Sequence, residues 1–518
     1  MGKLTNGAKF ALLVLVLGGA VLYLKLKTDV LNFGKNKGTS TTEVKATQPS
    51  KKSKGAKADL VLGINTWSGF APIVWLNDGL EPNENSQLYR NYGIKLRIKI
   101  NDMFDDSRNN FKTDNYNLVY CTTDVLPIEM GAGSGMVEAG AKQFIQVDWS
   151  RGGDAIVVRK GINTVADLRG KTIAVALGTA SHSLLIKVLE SNGLAMTDVQ
   201  VKLVSDGIEA AKIYKSGEVD AAVVWSPDDL DCVDAIPGTK VLVNTKTATH
   251  IIADGILVKE EFLNDNEELI VNFATAWLEA NGKINKSDAL ANEAAQAFAT
   301  AFNVDKAFAY NGIKNVRLTT LGDNKDFFEL NPQYQGITGD QLYTKMSQVY
   351  GKLNLSKNAL PWRNVSTTLV IEAMDKAGNL KVDQGAESAA KFTAVTEEVK
   401  NKAAISNKKV TINFVTNSSI LSDDAQGTID KEFVNIAKTF ANARIRIEGN
   451  TDAVGDGGYN KSLSLKRAQA VANYLVNNYG FDANRFIVIG NGMSKAVADG
   501  VSGANELYRR TDFQLVEE

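Results

Sequence analysis

"KTIAVALGTASHSLLIKVLESNGL", residues 171 to 194, carries the pattern that sets the fold. A short apolar run over Thr172–Ala176 is too brief for a helix and rich enough in β-formers for a buried strand. A Gly-Thr-Ala-Ser turn follows. Leu184, Leu185, Val188 and Leu189 then share one helical face, and Gly193 stands where a helix ends in a left-handed glycine. Related runs lie on either side: "YNLVYCTTD" (116–124), "DAIVVRK" (154–160), "VQVKLVSDGIEAAKIYKSGEVDAAVVWSPD" (199–228) and "HIIADGILV" (250–258). Strands that are apolar throughout, alternating with amphipathic helices, predict an α/β sheet covered on both faces. From about residue 260 to 394 the pattern turns mainly helical, as in "NEELIVNFATAWLEANGKI" (266–284).

A chain of 518 residues exceeds one core and implies several domains. Lys+Arg (58) nearly balances Asp+Glu (59), without the basic surplus of a nucleic-acid protein. Cys121 and Cys232 are too few for a disulfide framework; they read either as buried thiols or as one bridge. With only His182 and His250 besides, neither a metal site nor a cofactor is expected.

The N-terminus holds "AKFALLVLVLGGAVLYLKLK", residues 8–27, uncharged from Phe10 to Leu24 and flanked by Lys3, Lys9, Lys25 and Lys27. That core is short against the roughly 20 residues of a membrane span, but snorkelling lysines extend it. A cleaved signal peptide has a similar layout; the missing A-x-A pattern favours an uncleaved transmembrane anchor. Residues 28–57, rich in Lys, Thr and Ser, cannot bury enough surface to offset ordering and read as a tether. Such a tether spans about 30 Å as a relaxed coil.

"LGINTWSGFAPIVW" (62–75), "VRKGINTVADLRGKTIAVALGTASHSLL" (158–185) and "GEVDAAVVWSPD" (217–228) resemble periplasmic substrate-binding proteins of the nitrate/sulfonate/taurine transport type. The resemblance covers 58 to about 260 well and the remainder to 400 loosely. It implies a type II two-lobed clamshell over 58–400, similar to those serving ABC transporters. Lobe two would span about 153–250, with crossovers at "VDWSRGGDA" (147–155) and "THIIADGI" (249–256). Independently of the family, strand ends opening onto helix starts form a cleft lined by backbone N–H groups. The loops placed there carry Trp67, Ser68, Thr123, Asp124, Thr179, Ser181 and Trp225, with Trp149 beside them. Tryptophans supply flat walls, and hydroxyls and amides fix a small polar ligand. Each also has a plainer reading: Asp124, Thr179 and Ser181 as helix caps, Trp225 as core. The family often has a glutamate or comparable residue where Ser226 stands, so its ligand chemistry is not carried over.

Thiamine-pyrimidine synthases share the implied fold but use a Cys-rich cluster and a histidine that this chain does not supply. Neither a G-x-S-x-G elbow nor a Walker loop occurs, and His182 beside Ser181 and Ser183 on one helix start makes no base–nucleophile geometry. A non-enzymatic chain is expected.

Near "VTEEVKNKAAISNKK" (395–409) a polar stretch separates a last domain, 409–518. "TINFVTNSSILSDDAQGTID" (411–430), "IRIEGNTDAVG" (445–455), "YNKSLSLKRAQAVANYL" (459–475), "NRFIVIGNGMSKAV" (484–497) and "YRRTDF" (508–513) resemble the α+β OmpA-like peptidoglycan-binding domain. In that family the residues matching Asp452 and Arg467 grip the diaminopimelate of the peptide stem. The chemistry fits: an acid pairs the ammonium, and arginine's planar fork binds the carboxylate bidentately. Asn450, Thr451 and Asn460 would add neutral hydrogen bonds, and Leu465, Ala468, Val471, Ala472 and Leu475 would pack inward. This chain departs from the family at Asn450, commonly histidine, and at Tyr508, commonly asparagine before the paired arginines Arg509 and Arg510.

Peptidoglycan lies outside the cytoplasmic membrane, so the expected topology is single-pass in the bacterial inner membrane with the bulk of the chain in the periplasm. The expected partners are peptidoglycan, a small polar solute and the cytoplasmic membrane, with no nucleic acid. The alternative is a stator-like or scaffold subunit bound to a multi-helix membrane partner, its clamshell a spacer or docking module. A stator would need an acid inside its span, and the first acid here is Asp29, after Lys25 and Lys27.

Overall fold

The computed structural model describes residues 59–518 apart from Ala132, Lys381, Asp383, Asn413, Thr416 and Asn417. The expected anchor at 8–27 and tether at 28–57 lie outside the described residues. Among the described residues no helix is long and apolar enough to cross a membrane.

The described residues build three sheets. The first takes β1 (Asp59–Ile64), β2 (Lys95–Ile100), β3 (Leu118–Thr122) and β4 (Ala141–Ser150). The chain then leaves it for a second, made of β5 (Asp154–Val158), β6 (Thr172–Val175), β7 (Gln200–Leu203), β8 (Ala221–Trp225) and β9 (Lys240–Asn244). It returns through β10 (Ala253–Lys259) and β11 (Val316–Leu318). The orders are β11-β4-β10-β3-β1-β2 and β7-β6-β8-β5-β9. The strands next to the crossings, β4 and β10, pair antiparallel at the centre of sheet one, and β5 pairs antiparallel with β8 and β9. This is a two-lobed clamshell whose lobes are joined by two adjacent chain segments.

β3 and β5 are buried at every position, because helices cover both faces of each sheet. Glu267–Asn285 and Asp288–Phe302 are the long covering helices of lobe one. Trp277 at the middle of the first is fully buried, edge-on to Phe70 and Phe273. A side chain of this kind contributes about 1.5–3 kcal/mol by leaving water. Cys121 and Cys232 are both free and buried, so the bridge is excluded and the buried-thiol reading holds.

The crossing segments are stitched by short hydrogen bonds. Ser150 Oγ lies 2.8 Å from Asp154 Oδ2 and 2.9 Å from Thr245 Oγ1, and the Gly152 amide donates to Thr245 Oγ1 at 2.7 Å. Gly153 has no room for a side chain: a Cβ there would stand 2.2 Å from the Trp67 ring.

The third sheet holds β12 (Ala404–Val410), β13 (Arg444–Asn450), β14 (Phe486–Gly492) and β15 (Thr511–Val516), ordered β12-β15-β13-β14. Helix Gly457–Tyr479 lies on it, buried along Ser464, Ala468, Val471, Ala472 and Leu475. Leu465 is exposed, contrary to expectation: the inward stripe passes through Ser464, one residue earlier. The helix approaches so closely that Cβ atoms at Gly449 and Gly490 would stand 2.1 Å from the Ser464 carbonyl oxygen and 2.6 Å from the Leu465 nitrogen. The stretch read as a separator contains β12, an edge strand whose Lys409 faces solvent while Lys408 pairs with Glu432.

This domain is docked on lobe two. Val410, Ile436 and Phe440 join one apolar core with Leu184, Val188 and Ile251. Ser406 Oγ meets Ser191 Oγ at 2.8 Å, the Asn407 amide donates to Asn192 Oδ1 at 2.7 Å, and the His250 amide donates to the Thr439 carbonyl at 3.1 Å.

Candidate functional site

Two sites emerge, one at the lobe junction and one on the C-terminal domain. At the first, the turn after β1 places Trp67 and Ser68, and the end of β3 places Thr123 and Asp124. Trp67 lies on Gly153 and donates from Nε1 to Asp148 Oδ2 at 3.3 Å. Ser68 is buried against Gly312, leaving no space for a side chain there. Thr123 is also buried, its hydroxyl donating to Gln143 Oε1 at 2.9 Å. Both hydroxyls therefore act inside lobe one.

Across the junction, Ser181 is buried and accepts from Trp225 Nε1 at 3.1 Å. Thr179 is the N-cap of helix Ala180–Glu190, yet its hydroxyl turns back to the Ala176 carbonyl at 2.7 Å, so it does not cap. Ser181 lies inside the helix and likewise is not its cap. The lobes touch: Ser183 Oγ meets Tyr350 Oη at 2.8 Å, and Asn315 Nδ2 donates to Ser226 Oγ at 3.2 Å.

Asp124 is fully buried, and neither carboxylate oxygen has a hydrogen bond of normal geometry. It therefore caps nothing. Burial pushes its pKa up to about 7, against the weaker pull of the nearby Ser183 hydroxyl. Three more buried acids surround it. Asp148 and Asp254 face each other in register across β4 and β10. Burial and mutual repulsion push the pair's titration up, so that they share a proton. Asp154, bonded to Ser150, is likewise raised by burial to about 7. The sequence reading missed Asp148, Asp154 and Asp254; their signal was an acid set in otherwise apolar strand ends.

On the C-terminal domain, Asp452 follows β13 and is nearly buried. Its Oδ2 accepts from Arg509 Nη1 at 3.2 Å. Arg467 stands in the third turn of helix Gly457–Tyr479, half-buried over the Phe414 ring at 4.9 Å, and donates from Nε to the Ser418 carbonyl at 3.0 Å. Burial lowers its pKa, while Asp452 supports its charge. The two are electrostatic neighbours that each bond to another group. Arg509, missed as a site residue although "YRRTDF" was noticed, completes the set.

The three neutral candidates are supports. Asn450 is buried, donating to Asp512 Oδ2 at 3.3 Å and accepting from Asn491 Nδ2 at 3.0 Å. Thr451 Oγ1 donates to the Asp452 carbonyl at 3.0 Å, and Asn460 Nδ2 to the Val454 carbonyl at 2.8 Å. They hold the loop that presents Asp452. Tyr508 Oη donates to Asp499 at 2.7 Å.

Residues 153–287 match the NMT1/THI5 like family, and residues 413–510 match the OmpA family. The chain thus joins an NMT1/THI5-like substrate-binding domain to a C-terminal OmpA domain. It is 40% identical over 85 residues to the peptidoglycan-associated lipoprotein of Rhizobium meliloti, covering 16% of this chain and 47% of that one. It is 39% identical over 66 residues to the putative aliphatic sulfonates-binding protein of Escherichia coli, covering 13% and 20%. The chain spans less than half the length of either relative. Among solved structures, the periplasmic aliphatic sulphonate binding protein SsuA from Escherichia coli aligns at a TM-score of 0.48 and 17% identity, over 60% of this chain and 97% of that one.

Proposed function

We propose that this chain is an envelope protein that attaches to peptidoglycan through its C-terminal domain and captures or senses a small polar solute in its clamshell. It is a binding protein rather than an enzyme. One observation carries the attachment: Asp452 and Arg467 are electrostatic neighbours with no ion pair between them, one held by a half-exposed arginine and the other by a backbone carbonyl. Both charges are available to a zwitterion. The ammonium of a diaminopimelate terminus would replace Arg509 at Asp452, and its carboxylate would take the Arg467 fork. The likeness to a peptidoglycan-associated lipoprotein supports the same reading. The residue 8–27 segment would anchor the chain in the inner membrane with the described domains in the periplasm.

Co-sedimentation with purified sacculi tests the attachment. The full-length chain should pellet with them, and the Asp452→Ala, Arg467→Ala double variant should stay in the supernatant. Equal pelleting of the two would remove the attachment.

A further inference from the structure

The lobe junction gathers several buried acids, and these have few partners. Asp124, at the end of β3, is fully buried, and neither carboxylate oxygen has a hydrogen bond of normal geometry, although the Ser183 hydroxyl and the Asp124 and Ala253 backbone lie near. Asp148 Oδ1, on β4, is buried with no donor besides the proton shared between Asp148 and Asp254. Asp229, close enough to repel Asp154, adds another orphaned oxygen, Oδ1. Asp254 and Asp154 are within repelling distance of Asp124. A buried acceptor without a donor costs about 1–3 kcal/mol, and more for charged groups.

The cations whose fields reach these acids are engaged elsewhere. Arg151 pairs with Glu387 at 2.8 Å, and Lys187 pairs with Glu190 at 3.4 Å. Lys246 reaches Asp229 only through space. The other groups packed against Asp124 are neutral: Ser183 from helix Ala180–Glu190 and Tyr350 from helix Gly339–Lys352. An anion entering here would meet carboxylates and orphaned acceptors. A cation would give each of them a donor, and the Trp67 indole, already bonded to Asp148, supplies an aromatic face for its charge.

We propose that the cleft selects a solute carrying an ammonium or guanidinium group, bound by Asp124 and Asp148 beside Trp67, and rejects sulfonate-type anions. This rests on the reading of the clamshell as a solute-binding module and names the ligand's charge. The free cleft holds protons on these acids, so the cation enters in exchange for protons. Affinity therefore rises with pH through neutrality.

The test is thermal unfolding of the full-length chain near pH 8, with putrescine, choline or ethanesulfonate added. At least one cation should raise the Tm, and ethanesulfonate should leave it unchanged. The isosteric Asp124→Asn variant should unfold at a higher temperature than the parent without ligand, since an uncompensated charge is gone, yet lose the cation response. A merely structural Asp124 would give the opposite stability change. Stabilisation by ethanesulfonate alone would overturn the charge assignment and leave the solute-binding reading standing. No response to putrescine or choline would overturn the charge assignment, whatever the stability of Asp124→Asn.

Discussion

Asp452 has two cationic claimants, Arg509 in the described structure and the ammonium of a bound stem peptide in our proposal. Among the described residues Arg467 donates to the Ser418 and Val415 carbonyl oxygens, which a carboxylate readily displaces. Arg467→Lys should therefore retain a charge but lose the bidentate fork, weakening stem-peptide binding by about 1.5–3 kcal/mol as measured by calorimetric titration. At the other site the sign of the pH effect is fixed. The folded-state pKa of Asp124 is raised by burial to about 7, above its ordinary value, so the folded chain holds a proton that the unfolded chain has released. Asp124 thus costs stability progressively as pH rises from about 4 towards 7. The Tm advantage of Asp124→Asn should be near zero at about pH 3, grow from about pH 4 and reach its full size at about pH 8. At this scale the sequence made Asp452 and Arg467 visible, because one loop and the helix after it carry both. Asp148 and Asp254 were not visible as a pair. They lie over a hundred residues apart, and only the antiparallel register of β4 and β10 sets them opposite.

Elements were legible where one periodicity dominated. The unit spanning residues 171–194 folds as strand then helix, with Gly193 at its end in the left-handed region at φ +66°. β12 escaped because it is an edge strand: Asn407, Lys408 and Lys409 suit solvent as well as they suit a linker. Leu465 was misassigned because a leucine in an amphipathic helix reads as inward, whereas Ser464 takes that place beneath β13. The fit there gives a sharp expectation. In Gly449→Ala the new methyl would stand 2.1 Å from the backbone oxygen of Ser464, which cannot move without shifting the helix. That variant should lose about 1–3 kcal/mol in denaturant unfolding, as overpacked cores do. The helix carrying Arg467 would shift with it, so stem-peptide binding should weaken too.

Across the whole molecule, the C-terminal domain and lobe two share one core, and lobe one has its own. Calorimetry of the full chain should accordingly show lobe two and the C-terminal domain melting together, and truncation after residue 400 should lower the melting of lobe two. Because the C-terminal domain rides on lobe two, hinge motion at Arg151–Gly153 and Thr245–Ile252 would change the distance from the proposed wall site to lobe one, and in our proposal would couple solute state to geometry at the wall. The alternation of strands and helices foretold a covered α/β sheet, the family resemblance implied two lobes, and a polar stretch with its own motifs marked a last domain. The docking between them was not foretold, because exposed and interface positions such as Ser191 and Ser406 have the same composition. The central claim is that one chain holds the cell wall through Asp452 and Arg467 independently of its cleft. Isothermal titration of the full-length chain with a diaminopimelate stem peptide tests it most directly. The account predicts saturable binding that vanishes in the Asp452→Ala, Arg467→Ala variant and is unchanged in Asp124→Asn; binding that persists in the double variant would contradict it.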